Sequence, residues 1–325
     1  MLVLLTLLAC IENGFDRNRH TDTFTQEPAS VVDVLWVIDN SGSMQNEQAL
    51  IADGFASFIA SIEDTNIDYH IGVITTDMDI ANSERGRLLG VPAVLTAEDD
   101  VRTLFPARAM VGIDGSAKEQ GISAAIEAVS EPLASGGNTG FLRKDAVLSI
   151  IYVSDEEDCS DNGALGDEPP EACYTQYYKL ADRAALLADL LAVKEDGGRL
   201  LNSAIVGPPP EEACVDSWEG TRYAYMVEAT GGILGSICEE DYSSILERMG
   251  LAVSGVLTTF QLSRNPVDDT IEVSVDEDKV ERDAVNGWIF DAENRMLRFD
   301  GDYIPPRGST ISVSYRVLSN VEEAQ

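Results

Sequence analysis

Val31-Val32-Asp33-Val34-Leu35-Trp36-Val37-Ile38 runs directly into Asp39-Asn40-Ser41-Gly42-Ser43-Met44. The first part is apolar almost throughout, as in a strand buried on both faces of a parallel sheet. The second part ends it with three oxygen-bearing side chains at alternate positions. A strand that turns into a helix through Asp-x-Ser-x-Ser can aim one carboxylate and two hydroxyls at a single point. Hard divalent cations take oxygen ligands, and Mg²⁺ keeps several waters in a near-octahedral shell. The segment therefore reads as part of a metal site with positions left open, the competing reading being a Ser-rich helix N-cap.

Outward from this stretch, apolar runs alternate with amphipathic ones. Strands are expected at Val32–Ile38, Tyr69–Thr75, Val147–Ser154, Leu200–Val206 and near Gly232–Leu234. Helical periodicity covers Asn46–Ile62, Glu119–Val129, Tyr174–Lys194, Thr221–Ala229 and Tyr242–Val256, and an antiparallel edge strand fits around Leu88–Leu95. That order predicts an α/β domain over 31–257 whose mostly parallel sheet is doubly wound, with helices on both faces. Such sheets bind ligands where their strands end and the strand order reverses. Asp39 and Asp155 both fall at strand ends, and Asp77 and Asp79 end the second strand on the same edge. Trp36 reads as core and His70 as a packed surface residue. From Thr258 the pattern becomes short alternating runs between Asn, Asp, Gly and Pro turns, which predicts a small antiparallel β-sandwich-like domain over 258–325.

The 325 residues carry a net charge of −35 with 44% hydrophobic and 24% charged residues. An ordinary globular composition with so acidic a surface excludes nucleic acid and a bare electrostatic grip on anionic lipid. Residues 1–10, ending Leu7-Leu8-Ala9-Cys10, are too short to span a bilayer and read as an export signal. That ending resembles the bacterial lipobox, which implies lipidation of Cys10 and an exported protein anchored in the cell envelope at the outer membrane. A non-lipidated signal is the alternative. Residues 11–30 read as a polar tether.

Cys159, Cys173, Cys214 and Cys238 remain, which in an exported chain suggests two disulfides with three possible pairings. The sequential pairing is favoured because each pair brackets a loop-like insert, and closing such loops is worth roughly 3 kcal/mol apiece. Zinc is the alternative, but Cys-x-x-Cys is lacking and only His20 and His70 are present.

Asp39-x-Ser41-x-Ser43, the second strand ending in Asp155 and the helices between them resemble the von Willebrand factor A (VWA) domain and its metal-ion-dependent adhesion site. The resemblance spans about residues 31–256 and implies a VWA or Rossmann-like fold in which Asp39, Ser41, Ser43 and Asp155 hold a divalent cation. Mg²⁺ is the first expectation, with Ca²⁺ or Mn²⁺ as alternatives. The family adds a Thr from the loop before the preceding helix; the matching Asp114-Gly115-Ser116-Ala117-Lys118-Glu119-Gln120-Gly121 has none. Ser116 could supply a hydroxyl there, or Glu119 a carboxylate. The whole chain also resembles Gram-negative lipoproteins that join a VWA domain to a small C-terminal β module, in which Val153–Ser160 is a recurring stretch. Glu156, Glu157 and Asp158, with Asp161 and Asp167 beyond, read either as a second, Ca²⁺-type site or as a solvated acidic rim.

The function expected from this set is envelope adhesion: an open coordination position captures a carboxylate of a protein partner. A structural scaffold stabilised by metal and disulfides is the alternative. A metal-dependent hydrolase is the weaker one, because no Ser-His-Asp set, His-Glu-x-x-His or phosphate-cradling loop is legible.

Overall fold

The computed structural model describes residues 19–26, 29–63, 67–78, 84–194, 199–210, 212, 214, 217–256, 258–292, 295–301, 303–306 and 308–317. The expected signal at 1–10, Cys10 and Asp79 lie outside them. In chain order the first elements are β1 (Arg19–Thr25), β2 (Val31–Ile38), α1 (Gln45–Glu63), β3 (Asp68–Thr75), α2 (Val101–Ala109), α3 (Gly121–Val129) and β4 (Val147–Ser154). Then come α4 (Ala172–Thr175), α5 (Arg183–Ala192), β5 (Leu200–Val206), α6 (Thr221–Thr230), β6 (Leu234–Ser236) and α7 (Ser243–Val253). Six further strands complete the chain as β7 (Thr259–Gln261), β8 (Glu272–Val275), β9 (Asp278–Val280), β10 (Asn286–Asp291), β11 (Met296–Gly301) and β12 (Thr310–Arg316). Two compact units result, one from Glu27 to Leu257 and one joining Met1–Gln26 to Thr258–Gln325.

In the first unit five parallel strands lie in the order β3-β2-β4-β5-β6. Alternate residues of β2 enter two separate cores, as strand geometry requires. Val32, Val34, Trp36 and Ile38 pack with Phe55 and Phe58 of α1, Phe105 of α2 and Met249 of α7. Leu35 and Val37 pack instead with Ile122 of α3, Leu190 of α5 and Met226 of α6. Helices therefore cover both faces, and Trp36 is core, with its ring edge-on to Phe58 at 5.1 Å. His70 is half-buried and its Nδ1 lies 2.9 Å from the Phe141 carbonyl. After β2 the chain first builds β3 on one side, then crosses to β4 on the other. The strand order thus reverses between β2 and β4.

Two expected elements come out differently. The antiparallel strand around Leu88–Leu95 is reduced to one bridge between Ile71 and Leu95. Gly90, at φ +84°, and Pro92, which lacks an N–H, interrupt any longer pairing. The single helix expected over Tyr174–Lys194 is broken into α4, a 3-10 turn at Tyr177–Lys179 and α5. Leu180 is extended, and Asp182 restarts the helix as an N-cap, accepting the Ala185 N–H at 3.0 Å.

The second unit holds two antiparallel sheets, β1-β12-β8-β9 and β10-β11-β7. Phe24 of the first meets Phe260 of the second with ring centroids 5.0 Å apart. The tether expected over residues 11–30 is not one at Arg19–Thr25. Those residues alternate exposed and half-buried, and pair in full register with β12, from Arg19 against Arg316 to Thr25 against Thr310. The alternation of Thr21, Thr23 and Thr25 with His20, Asp22 and Phe24 is a weak strand signal, because only Phe24 among them is apolar.

Candidate metal centre

β2 ends against β4 through the Asp39 N–H, which donates to the Val153 carbonyl at 2.9 Å. The Asp39 side chain is fully buried: its Oδ1 accepts the Ser41 N–H at 2.7 Å and its Oδ2 the Ser154 hydroxyl at 2.6 Å. Ser41 and Ser43 place their hydroxyl oxygens 3.3 Å apart, and Ser43 hydrogen-bonds the Asp155 carboxylate at the end of β4. Gln48 of α1 braces the turn, donating to the carbonyls of Asp39 (2.9 Å) and Gly112 (2.8 Å).

The loop before α3 completes the cluster. Gly115 donates its N–H to the Asn40 carbonyl at 2.8 Å. The Ser116 N–H reaches Asp77 Oδ2 at 3.3 Å, and the Ser116 hydroxyl accepts the Lys118 N–H at 3.1 Å, a bond within its own loop. Glu119 is 1% exposed, and its backbone is clamped on two sides by a bridge to Asp77 and by the Cys159 N–H on its carbonyl at 2.6 Å. Between the two residues left open by the sequence, Glu119 is the one on which the Asp39 charge acts.

The charges acting on these three carboxyls come from other carboxylates. Burial first, then Asp39 and Glu156, push Glu119 up to about 11. Burial pushes Asp39 up to about 7 against its Ser154 and Ser41 bonds, with the Asp155 charge adding. Asp155 rises to about 6 through burial, opposed by Ser43 and reinforced by Glu156 and Glu47. Oδ1 of Asp155 and Oε1 of Glu119 are buried and meet no hydrogen-bond donor. Buried polar oxygens are almost always satisfied, so these two, with Glu47 Oε2 beside them, are an unusual set of orphans in one acidic cluster. Carboxylate and hydroxyl oxygens are the donor set a hard divalent cation takes, and the residues present fit one. Among the described residues no three acidic, His or Cys side chains by themselves form a metal-holding group. A divalent centre here would have to draw on the serine hydroxyls and on water.

Two of the three acids after Asp155 are employed otherwise than as rim or second metal site. Asp158 is fully buried, paired with Arg222 Nε at 3.0 Å, and accepts the Ile122 N–H at 3.0 Å. Glu157 caps α6, accepting the N–H groups of Thr221 (3.0 Å) and Arg222 (2.9 Å), where a helix start favours negative charge. Glu156 alone stays with the cluster, hydrogen-bonded to Glu119. Asp161 shapes its own loop by accepting the N–H groups of Gly163 and Leu165. Ser154, Glu47 and the buried, unpartnered Thr76 hydroxyl belong to the neighbourhood without having been singled out. Only Ser154 carried a signal, as a polar residue next to Asp155 at the end of an apolar run.

The disulfides pair sequentially, Cys159–Cys173 and Cys214–Cys238. Residues beside each bridge meet, with Tyr174 against Trp218 at 4.8 Å between ring centroids. The Trp218 N–H donates to the Asp155 carbonyl at 2.7 Å.

In the β unit the fold does gather Asp22, His20 and Ser263. His20 Nε2 lies 3.0 Å from Asp22 and 2.9 Å from Ser263 Oγ, while that hydroxyl itself donates to Asp22 at 2.6 Å. A catalytic relay needs the imidazole between the other two, one nitrogen to each. This knot has the wrong wiring for one.

No protein-family model matches the chain, and no curated protein matches it. Among solved structures it is similar to the pilus adhesin SpaC from Lactobacillus rhamnosus GG, with a TM-score of 0.46 and 12% identity over 96% of this chain and 43% of that one. It is also similar to the pilus adhesin RrgA from Streptococcus pneumoniae, at TM-score 0.33 and 10% identity over 94% of this chain and 60% of that one. For the adhesive tip pilin GBS104 from Group B Streptococcus agalactiae the values are 0.34 and 9%, over 97% and 85%. The chain thus spans less than two thirds of the SpaC and RrgA chains. Likenesses of this degree fix neither fold family nor function.

Proposed function

We infer that the Glu27–Leu257 unit is a metal-dependent protein-binding module of the adhesion type. The observation that carries this reading is the pair of donor-less buried oxygens, Asp155 Oδ1 and Glu119 Oε1, beside Asp39 at the reversal of the strand order. Asp39, Ser41, Ser43, Asp155 and Glu119 would hold the cation, which when bound supplies an electrophilic anchor for a partner's carboxylate. The chain's own residues do the positioning. Ser154 and the Ser41 N–H fix the Asp39 carboxylate, and Gln48 ties its backbone to the 112–116 loop. Mg²⁺ suits the two hydroxyls, and a carboxylate from Glu119 moves the preference toward Ca²⁺ or Mn²⁺. An exported protein held at the envelope through Cys10 agrees with the two disulfides, which need an oxidising compartment.

The disulfides and the clamped Glu119 backbone also suit a scaffold whose metal only stabilises. Calorimetry with Mg²⁺, Mn²⁺ and Ca²⁺ on wild type and Asp39→Ala tests the metal: equal heats from both proteins sink it. Capture from envelope extracts with and without chelator then separates the roles. Metal bound without any chelator-sensitive partner decides for the scaffold.

A further inference from the structure

Beside the carboxylate cluster, and separate from it, a groove of about 250 Å³ opens at the C-terminal ends of β5 and β6 against the start of α6. Val206, Pro208 and Leu234 give it apolar walls, and Glu212 and Glu219 are the charged residues among those that line it. Leu234 is 50% exposed and Pro208 half-buried, while Val206 is buried beneath them, and both glutamates face solvent. Among the described residues no lysine, arginine or histidine lines the groove.

The groove is built into the fold. The segment carrying Glu219 lies so close to the end of β5 that a Cβ on Gly207 would sit 1.8 Å from the Trp218 carbonyl oxygen. Gly207 and Glu219 form a parallel bridge that holds the two sides together.

We propose that this groove binds a lysine or arginine side chain of a protein partner. The chemistry is complementary at both ends of such a side chain. Its aliphatic stem covers Pro208 and Leu234, and its charged head stays at the mouth with Glu212 and Glu219. An acidic ligand would meet two like charges on a chain of net charge −35. A purely apolar one would strip water from two carboxylates without replacing it. The site is independent of any cation at Asp39, yet adjacent. The Trp218 N–H bonds the Asp155 carbonyl, and the next residue, Glu219, lines the groove. One partner can therefore present an acidic group to the first site and a basic one to the second.

The test uses the full chain, ¹⁵N-labelled, in EDTA at low salt, so that the metal reading plays no part in it. The probes are the N-acetyl methylamides of lysine, arginine and norleucine. The expected result is a saturable set of amide shifts with lysine and arginine, confined to Gly207, Glu219–Thr221 and Leu234–Ser236. The variant Glu212→Gln/Glu219→Gln, with thermal melting to show it folded, should bind about threefold more weakly or worse. Equal binding of norleucine would overturn the proposal in favour of an apolar site. Shifts spread over the acidic surface, or none at millimolar probe, would also overturn it.

Discussion

Asp33, inside β2, and Asp39, just past its end, are both fully buried, yet they have opposite company. At Asp33 the chain brings a cation of its own. Arg143 donates its backbone N–H to Oδ2 at 2.6 Å and Nε to Oδ1 at 2.7 Å, and reaches on to Asp68 at 2.8 Å. Burial still holds that carboxyl above its ordinary value, against Arg143. At Asp39 the neighbours are two serines and further carboxylates. Burying a charge demands a partner. One end of the sheet carries its partner in the sequence, and at the other the proposed metal reading would supply one from solution.

That contrast can be broken most forcefully at Arg143. Arg143→Ala keeps the backbone N–H on Asp33 but removes the guanidinium from this buried carboxylate, and should cost about 3 kcal/mol in urea unfolding. A loss below about 1 kcal/mol would show that the two ends are alike. At the other end, a divalent cation at about 100 times its Kd should stabilise wild type by about 2.7 kcal/mol and leave Asp39→Ala unchanged. Thermal melting with and without EDTA reads this directly. Because the ligands must be ionised, the gain should shrink on acidification.

Ser154→Ala removes the hydroxyl that orients Asp39 without touching any expected ligand. It should weaken cation binding about 10- to 100-fold by calorimetry, the effect of losing an outer partner of a ligand. The smallest effect concerns Asp22, which offers a third arrangement, a carboxylate saturated by protein donors. Burial raises its pKa, but the bonds from Ser263 and Tyr315, with that of His20, outweigh burial and bring it below 3.8. A carboxyl lowered in the folded state stabilises fully above its unfolded value and loses that contribution as pH falls through the folded value. Metal-free wild type should therefore lose stability below about pH 4 more steeply than Asp22→Asn. Parallel acid curves would remove Asp22 as the cause.

The apolar runs were legible because side chains of β2 and β4 face cores on both sheet surfaces, which forces Val, Ile and Leu at nearly every position. Asp39 and Asp155 stood out against those runs. The choice between Ser116 and Glu119 did not, since it depends on how the loop before α3 folds, where the Ser116 hydroxyl accepts the Lys118 N–H and Glu119 is buried against the cluster. Glu157 and Asp158 looked like free acids because the groups that use them, Thr221 and Arg222, lie more than sixty positions away. Strand β1 was missed for a similar reason: a polar strand declares itself only through its partner, and that partner is β12.

The sequence by itself determined the alternation of strands and helices, the two acidic strand ends and the cysteine loops. Only the tertiary structure decided that Arg143 answers Asp33 across 110 positions, while among the described residues the main influences on Asp39 are serines and Asp155. It also decided that Arg19–Thr25 forms the edge of the sheet built by β12, β8 and β9. The physical reason is range. Periodicity and turn chemistry act over a few residues and leave a local trace, whereas the pairing of a buried charge or a sheet edge is fixed only when remote segments meet.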